Sequence, residues 1–138
     1  MRLVKQIAFL LILIPVSSFS QQKYGNEWID DYSQVYFKVP VSKEGIYRID
    51  FDALNDANIN VTVLDPRNFQ LFHNNAEQYI YVKGETDGSF DSGDYIEFYG
   101  NKNDGTLDSL LYDKSSSQSH TKYSLFTDTA YYFLTWNT

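Results

Sequence analysis

Short β-favouring segments separated by turn residues recur along most of this chain, and no other feature restricts its fold as strongly. The segments follow one another at roughly ten-residue spacing, are rich in Tyr, Phe, Val and Ile, and are bounded by Gly, Asn, Asp and Ser. They lie at residues 33–41, 46–49, 69–73, 77–84, 95–100 and 130–136. Strands do not alternate with helices, which disfavours a doubly wound α/β domain. The spacing therefore predicts an all-β fold, an antiparallel β-sandwich-like module.

Turn residues and helical spacing predict how the first segments connect. Residues 33–41 and 46–49 flank "SKEG", whose glycine favours a turn, so the two segments are predicted to pair as a hairpin. Residues 50–59, "DFDALNDANI", form the one helical candidate, with Asp50 or Asp52 as the N-cap residue. This short helix is expected to cover an end of the sheet, because a helix of about three turns is not stable alone.

The last predicted strand, residues 130–136, ends two positions before the chain does. A strongly apolar strand is expected to have neighbours on both sides, and a long aromatic edge is an aggregation hazard. A terminal strand at the edge of the sheet is the alternative. We expect a module that is incomplete at its C-terminus, either as a fragment or as a domain that continues in a longer protein.

The first twenty residues have the order of a secretory signal peptide. Arg2 and Lys5 precede the apolar run "IAFLLILIPV", and the small residues of "SSFS" follow it. The run is too short for a bilayer-spanning helix, which needs about 20 apolar residues, and no cysteine follows it to serve as a lipoprotein anchor. The sequence thus predicts a signal peptide at 1–20, a mature module at 21–138 that begins at Gln21, and no transmembrane segment after cleavage. An uncleaved N-terminal membrane anchor is the alternative.

Charge and cysteine content exclude several classes of function. Without Arg2 and Lys5, the 11 basic residues become nine against 18 acidic ones, a net charge of −9. Such a surface repels phosphate, which argues against nucleic acid and anionic lipid as partners. The chain has no cysteine, which rules out a catalytic thiol, a thiolate zinc site and an iron–sulfur cluster within it. Its stability must come from burial, to which 12 Tyr, 10 Phe and 2 Trp can contribute.

The segment "DGSFDSGDYIEFYG" at residues 87–100 is the candidate metal site. Asp87, Asp91 and Asp94 could gather around a calcium ion, because calcium accepts irregular shells of oxygen ligands. An EF-hand loop does not fit, since a lysine or a glycine falls at its first ligand position in both possible registers. The favoured interpretation is an Asp-Gly and Ser-Gly turn whose carboxylates accept backbone N–H groups, followed by a strand. Calcium at the three aspartates is the alternative.

A few other polar side chains are candidates for catalytic groups. Asp94 and Glu97 could form a carboxylate pair, which a glycosidase requires about 5–10 Å apart across a cleft, although a solvated strand face is the commoner arrangement. His73 ends a strand and His120 lies in the polar loop 114–122. The serines near His120 lie in a polar loop that supplies no rigid, oriented partner for a catalytic dyad. One histidine per region disfavours a zinc site, which usually has two or three such ligands. No catalytic residue is therefore predicted.

Tyrosines on the predicted strands form a candidate binding surface. Tyr79 and Tyr81 fall on one face of their segment, and Tyr95, Glu97 and Tyr99 share one face of the next. An aromatic sheet face could stack on sugars or contact another protein, whereas a sandwich core with cross-strand aromatic pairs is the alternative. We expect the core interpretation to hold for at least one face.

Four ordered stretches extend over nearly the whole mature chain, from Tyr24 to Trp136. They are "YGNEWIDDYSQVYFKVPVSKEGIYRIDFDAL", "DPRNFQLFHNNAEQYIYV", "GSFDSGDYIEFYGNKNDGTLDSLLYD" and "YSLFTDTAYYFLTW". Together they resemble the N-terminal region of the PorU-type sortases of the type IX secretion system, gingipain-like cysteine peptidases of Bacteroidetes. The resemblance implies an exported parent protein of the periplasm or the outer-membrane cell surface. That parent would cleave the C-terminal sorting domain of cargo and attach the cargo to the cell surface.

The chemistry of that family uses a Cys–His pair in a downstream α/β peptidase domain, and this chain has no cysteine. The resemblance therefore implies a non-catalytic N-terminal β module with no cofactor of its own. Its implied partners are the downstream peptidase domain or outer-membrane components of the secretion system. A stand-alone secreted binding or adhesion domain is the second hypothesis, and an enzyme complete in itself ranks last. The resemblance also makes Ser109 in "DSL" and Thr129 in "DTA" candidate O-glycosylation sites.

Overall fold

The computed structural model describes Asp31 and residues 33–137, which form two antiparallel β-sheets that pack together. The predicted signal peptide at 1–20 and the cleavage before Gln21 lie outside these residues. The larger sheet has the order β1 (Phe37–Val41), β7 (Ala130–Trp136), β3 (Phe69–His73) and β4 (Ala76–Gln78). The smaller sheet has the order β2 (Gly45–Asp50), β6 (Tyr95–Gly100) and β5 (Ile80–Lys83). The predicted all-β, sandwich-like fold is confirmed.

One α-helix, α1 (Phe51–Asp56), follows β2 directly. The Asp50 carboxylate accepts a hydrogen bond from the Ala53 backbone N–H at 2.9 Å, so Asp50 rather than Asp52 is the N-cap. Leu54 is buried and joins the core. The helix supplies the predicted single helical element, although it ends earlier than the predicted range. Within the described residues, four 3₁₀ turns lie at Val61–Val63, Pro66–Asn68, Thr106–Leu111 and Ser115–Ser117.

The predicted hairpin between the first two segments is wrong, because β1 and β2 belong to different sheets. β1 pairs with β7, and β2 pairs with β6. Residues 42–44 therefore carry the chain from one sheet to the other, and the Tyr47 hydroxyl donates to the Lys43 carbonyl at 2.9 Å across this crossing. The β1–β7 pairing leaves Val41 fully buried. Turn residues mark where a strand ends, but they do not specify which strand it pairs with.

The segment predicted as one strand at 77–84 is two strands that belong to different sheets. β4 pairs with β3 and β5 pairs with β6, and Tyr79 lies between them with its side chain fully exposed. The predicted alternation nevertheless holds. Tyr79 and Tyr81 are exposed, while Val82 is buried and Ile80 packs against the core.

The last strand, β7, lies in the interior of the larger sheet. Leu134 is opposite Phe37 on β1 and opposite Leu71 on β3, so β7 has a neighbour on each side. An edge position for this strand is therefore wrong. An unpaired last strand would have supported the expected incompleteness at the C-terminus. Since β7 is paired on both sides, that incompleteness stays a prediction.

The core lies between the two sheets and consists almost entirely of apolar side chains. Tyr132 of β7 packs on Phe98 of β6 with ring centroids 5.2 Å apart, which joins the sheets directly. Phe90, fully buried, packs on Phe51 at 6.4 Å and on Phe69 at 5.3 Å. Each large apolar side chain that is fully buried contributes about 1.5–3 kcal/mol to folding. The other buried apolar residues are Val41, Leu54, Ile59, Val61, Leu71, Val82, Ile96, Ala130 and Leu134.

The mature module is predicted to have no transmembrane segment, and the helices of the described residues can be compared with that prediction. Among residues 31 and 33–137, no helix has the length and hydropathy that crossing a membrane requires. The only α-helix there, α1, has six residues.

Candidate functional site

The Asp turn, defined as residues 84–94, closes on its own backbone. Asp87 Oδ1 accepts the Ser89 backbone N–H at 3.0 Å, and Asp94 Oδ2 accepts the Asp91 backbone N–H at 2.9 Å. The Asp91 carbonyl in turn accepts the Asp94 backbone N–H at 2.9 Å. The carboxylates of Asp87 and Asp94 therefore satisfy backbone donors, as the turn interpretation expects.

Asp94 also fixes the Asp turn to the rest of the module. Its backbone carbonyl accepts the Phe51 N–H at 3.2 Å, and its carboxylate lies 3.9 Å from Lys83 Nζ. Lys83 Nζ donates to the Gly93 carbonyl at 2.7 Å. The same turn places Phe90 in the core. These contacts give the turn a structural role that requires no ion.

The structure does not gather Asp87, Asp91 and Asp94 into a ligand shell. Within the described residues, no three side chains of His, Cys, Asp or Glu lie together as potential metal ligands. Asp87 and Asp94 each direct an oxygen atom at a backbone N–H, and Asp91 is exposed. Calcium binding by these three residues stays a prediction.

The outer surface of the smaller sheet presents aromatic and aliphatic side chains to solvent. We call this surface the tyrosine face. It comprises Ile46, Arg48, Tyr79, Tyr81, Tyr95, Glu97 and Tyr99. The exposed fraction is 68% for Ile46, 100% for Tyr79, 59% for Tyr81 and 52% for Tyr99. Most of these residues line a shallow groove of about 640 Å³. The predicted placement of Tyr95, Glu97 and Tyr99 on one strand face agrees with this arrangement.

An ion pair lies within the tyrosine face. Arg48 and Glu97 are opposite each other on β2 and β6, and Arg48 Nη2 lies 2.7 Å from Glu97 Oε1. The hydrogen bond to Glu97 raises the pKa of the Arg48 guanidinium. The guanidinium also lies 3.9 Å from the centre of the Tyr95 ring. The charge of Arg48 is thus matched within the surface, which leaves the rings around it as the exposed feature.

A second hydrogen bond orients one ring of the tyrosine face. The Tyr99 hydroxyl donates to Glu44 Oε1 at 3.0 Å, and this hydrogen bond raises the pKa of Tyr99. Tyr81 and Tyr95 lie with ring centroids 6.2 Å apart in a tilted arrangement. Tyr99 and Tyr95 are therefore held by neighbours, which lowers the entropy lost when a partner covers them.

The structure does not arrange Asp94 and Glu97 as an acid–base pair. Glu97 is bound by Arg48, while Asp94 belongs to the Asp turn. A cavity of about 240 Å³ is lined by Asp94 but not by Glu97. The two carboxylates face different surroundings, so the sequence spacing that suggested a pair is not reflected in a shared cleft.

Both histidines make aromatic and hydrogen-bonding contacts. The His73 ring stacks on Tyr132 with centroids 4.2 Å apart, and its Nδ1 lies 3.0 Å from the Tyr131 carbonyl oxygen. The His120 ring stacks on Tyr123 at 4.5 Å, and its Nε2 lies 3.0 Å from the Tyr123 hydroxyl. In these contacts neither histidine faces a serine or another histidine, and the expectation that they form no dyad stays a prediction.

A second candidate site, which the sequence pattern did not indicate, lies where three loops meet. We call it the polar cleft, a cavity of about 400 Å³. It is lined by residues 73–74, 101–104, 107, 127 and 129–131. The residues at 101–104, "NKND", predicted only a turn. The sequence signal for a cleft at these positions was their mixture of amide, cationic and anionic side chains. Ordinary turns have the same composition, so the mixture does not distinguish a cleft from a turn.

Hydrogen bonds from separate elements hold the walls of the polar cleft. The Asn103 N–H donates to the Asp128 carbonyl at 2.9 Å, which joins two of the loops. The Asn101 N–H donates to the buried Tyr132 hydroxyl at 2.9 Å. Asn74 adopts a left-handed φ of 50°, as a tight hairpin turn between β3 and β4 requires.

Asp104 is an anionic group of the polar cleft. Partial burial alone would raise the pKa of its carboxyl. Hydrogen bonds from the Thr106 backbone and side chain, together with the charge of His73, lower that pKa by more than burial raises it. The net effect is a pKa below the ordinary aspartate value, so Asp104 is ionised at neutral pH. Lys102, in the same loop, places a positive charge on the same cleft.

The two candidate glycosylation positions lie near this end of the molecule. Ser109 is half-buried, and its hydroxyl donates to the Thr106 carbonyl at 2.7 Å. Thr129 is half-buried, lines the polar cleft, and donates to Asp128 Oδ1 at 3.3 Å. O-glycosylation of either hydroxyl stays a prediction, which mass spectrometry of the exported protein would test.

In comparisons with known proteins, no protein-family model matches this chain, no curated protein matches its sequence, and no solved structure matches its fold. The class that the structure itself defines is an all-β, sandwich-like module with an exposed tyrosine face and a polar cleft.

Proposed function

We propose that this chain is a non-catalytic, exported β module of a PorU-type sortase or a related gingipain-like cysteine peptidase. The support for the family is the resemblance of four ordered stretches to the N-terminal region of those proteins. The support for a non-catalytic role is the absence of cysteine from the whole sequence. The parent protein would cleave the C-terminal sorting domain of cargo and attach the cargo to the cell surface, and this module would act by docking.

The observation that carries a docking role is the tyrosine face. Ile46, Tyr79, Tyr81 and Tyr99 are each more than half exposed on one side of the smaller sheet. Contiguous apolar surface of this kind marks interaction sites on soluble proteins. Tyrosine is enriched among the residues that contribute most to binding between proteins, because its ring buries a large area and its hydroxyl remains hydrogen-bonded.

The chemistry of the tyrosine face fits a protein partner. The internal Arg48–Glu97 pair leaves no unmatched charge at its centre, so a partner needs apolar and hydrogen-bonding groups rather than a charged patch. We propose that the partner is the downstream peptidase domain or an outer-membrane component of the secretion system. The same surface also supports the second candidate, a secreted binding or adhesion domain, because exposed rings can stack on sugars.

A binding experiment with the full chain tests the docking proposal. The partner is a PorU-type peptidase domain from the same organism, and the readout is the dissociation constant by calorimetry. Replacement of Tyr79 and Tyr81 by alanine is expected to weaken binding by about tenfold or more, as for central aromatic residues of interfaces. Phe126→Ala is the matched control, since Phe126 is 69% exposed and lies outside the tyrosine face. Equal binding by the variant and the wild type would contradict the docking surface.

An activity measurement tests the non-catalytic part of the proposal. The full chain alone is expected to cleave neither peptide nor cargo substrates, because it has no thiol nucleophile. Peptidase turnover that thiol reagents inhibit would overturn the assignment. A glycan that binds the tyrosine face with no affinity for the peptidase domain would favour the adhesion hypothesis.

A further inference from the structure

The polar cleft has the features of a binding site for a small ligand, and it does not overlap the tyrosine face. Its volume of about 400 Å³ lies near the lower end of the range for ligand pockets, roughly 300–1,000 Å³. Both sheets contribute to it. Residues 101–104 follow β6 of the smaller sheet, and residues 129–131 lie at the start of β7 of the larger sheet. An inference about this cleft therefore stands apart from the docking proposal.

The walls of the cleft are fixed before any ligand arrives. His73 Nδ1 lies 3.0 Å from the Tyr131 carbonyl, the Asn101 N–H binds the Tyr132 hydroxyl, and Asn103 is joined to Asp128. The Asn103 side-chain oxygen accepts the Gly105 N–H at 3.1 Å, which orients its amide group. Fixed walls reduce the free energy that a ligand must supply to order its own site.

Several polar groups of the cleft remain available to a ligand. The side chains of Asn101 and Lys102 hydrogen-bond no other residue in the described part of the chain, and both are exposed. Asp104 Oδ1 accepts the Thr106 N–H at 2.9 Å, and the two oxygens of a carboxylate have further acceptor sites beyond the hydrogen bonds from Thr106. The Asn103 amide nitrogen carries two donors beyond the bond that its oxygen accepts.

These groups select the chemistry of the ligand. Planar amides and a carboxylate present adjacent donors and acceptors, and the hydroxyl groups of a sugar ring can both donate and accept. Lys102 and Asp104 carry opposite charges, so the cleft does not favour a ligand with net charge of either sign. Leu107 and Ala130 add an apolar portion that matches the C–H surface of a sugar ring.

We propose that the polar cleft binds a neutral sugar ring of hexose size, held by the side chains of Asn101, Asn103 and Asp104. The ring lies with its hydroxyl edge toward the 101–104 loop and its C–H surface toward Leu107 and Ala130. This gives the module a carbohydrate-recognition site at the end of the sandwich, separate from the protein-docking surface.

Titration of the ¹⁵N-labelled full chain with methyl α-glycosides of glucose, mannose and galactose tests the proposal by NMR. At least one probe is expected to produce saturable shifts in the backbone amides of residues 101–104 and 129–131 and in the Asn101 side-chain amide. Asn101→Ala is expected to weaken that binding about fivefold, the effect of losing one or two hydrogen bonds. The Asn101 side chain makes no hydrogen bond within the described residues, so the variant is expected to fold, and its own spectrum shows whether it does.

A control variant and a charged probe distinguish binding in the cleft from binding elsewhere on the module. Asn55→Ala, at an exposed asparagine outside the cleft, is expected to bind the probe like the wild type. Glucuronate, which is an anion of similar size, is expected to bind more weakly than the neutral glycosides. The proposal is overturned by no saturable shift with any glycoside, by shifts centred on Tyr79 and Tyr81, by stronger binding of glucuronate, or by unchanged binding in Asn101→Ala. None of these results bears on the affinity of the tyrosine face for a peptidase domain, so the two proposals fail separately.

Discussion

Single residues of the Asp turn show how a pattern that suggests metal binding can serve backbone geometry. Asp94 binds the Asp91 N–H, lies near Lys83, and accepts the Phe51 N–H through its carbonyl. Gly84 lies against the same carboxylate, since a Cβ atom there would lie 2.7 Å from Asp94 Oδ2. The turn is therefore packed around Asp94, and Gly84 is part of that packing.

Substitution of Gly84 tests this packing. Gly84→Ala is expected to lower the free energy of unfolding by about 1–3 kcal/mol, because alanine is strained at its φ of +110° and its Cβ contacts Asp94. Gly93→Ala is the matched control, since Gly93 also has a positive φ, +96°, but no atom within 4 Å of an added Cβ. Urea unfolding of both variants measures the difference. A Gly84 variant no less stable than the Gly93 variant would contradict the contact.

The same turn decides the calcium question by experiment. If Asp87, Asp91 and Asp94 bind calcium, the melting temperature rises with calcium concentration and falls with a chelator, because binding to the native state alone stabilises it. The hydrogen bonds of Asp87 and Asp94 lead us to expect no change. Thermal melts of the full chain with calcium and with chelator measure this. A calcium-dependent rise that Asp91→Asn abolishes would show that the ion binds here.

Asp65 predicts part of the acid sensitivity of the module. Hydrogen bonds from the Arg67 side chain and then from its backbone N–H lower the pKa of the Asp65 carboxyl. A carboxyl with a lowered folded-state pKa stabilises the fold above its ordinary unfolded pKa, and that stabilisation is lost as pH falls through the folded value. Thermal melts between about pH 6 and about pH 2 should show Asp65→Asn destabilised at the upper end and converging with the wild type at the lower end. Asp52→Asn, at an exposed aspartate that forms no ion pair with an arginine of the described residues, serves as the control. A constant difference across the range would contradict the ion pair.

At the scale of elements, capping explains where the helix begins. Asp50 is the last residue of β2 and also the N-cap of α1, so strand and helix meet without a loop. The sequence left Asp50 and Asp52 as alternatives, because both are of a type that caps helices. In the structure the pairing of β2 with β6 ends at Asp50, opposite Tyr95. The helix can therefore begin directly after Asp50, which makes Asp50 the N-cap.

Removing the cap tests its contribution. Asp50→Ala is expected to lower the free energy of unfolding by about 0.5–2 kcal/mol, the usual cost of losing an N-cap. Asp52→Ala is expected to cost less, because Asp52 lies in the first turn and accepts no capping bond. Chemical denaturation of the two variants gives the comparison. A larger loss for Asp52→Ala would show that Asp50 is not the cap.

At the scale of the whole molecule, Tyr132 joins the two sheets and one wall of the polar cleft. Its ring packs on Phe98 across the core and on His73 in its own sheet, and it is fully buried. Its hydroxyl accepts the Asn101 N–H at 2.9 Å. Tyr132 therefore links the core to the Asn101 wall of the cleft.

Tyr132→Phe isolates the hydroxyl from the ring. The variant is expected to lower the free energy of unfolding by about 1–3 kcal/mol, because the part-buried Asn101 N–H loses its acceptor. Tyr131→Phe is the control, since no hydrogen bond of its hydroxyl is found among the described residues and it is only half-buried. Thermal and urea unfolding measure both. Equal stability of Tyr132→Phe and the wild type would contradict the link between core and cleft.

Local chemistry was sufficient to predict much of this module. The strands at 69–73, 95–100 and 130–136 and the capped helix follow from alternation and capping preference, which act within a few positions of the chain. Alternation also places Tyr79 with Tyr81, and Tyr95 with Tyr99, on shared strand faces. It does not determine that Tyr79, Tyr81 and Tyr99 are exposed rather than in the core.

Pairing between distant strands depends on the tertiary structure. The separation of β1 from β2, the break between β4 and β5, and the interior place of β7 belong to an arrangement in which the two sheets bury a common apolar core. The polar cleft likewise exists only because β3, β6 and β7 bring three loops together from separate parts of the chain. Sequence determines which residues can form strands, turns and caps, since those preferences are local. The partners of each strand, and the cleft that the pairing creates, depend on contacts that no local pattern encodes.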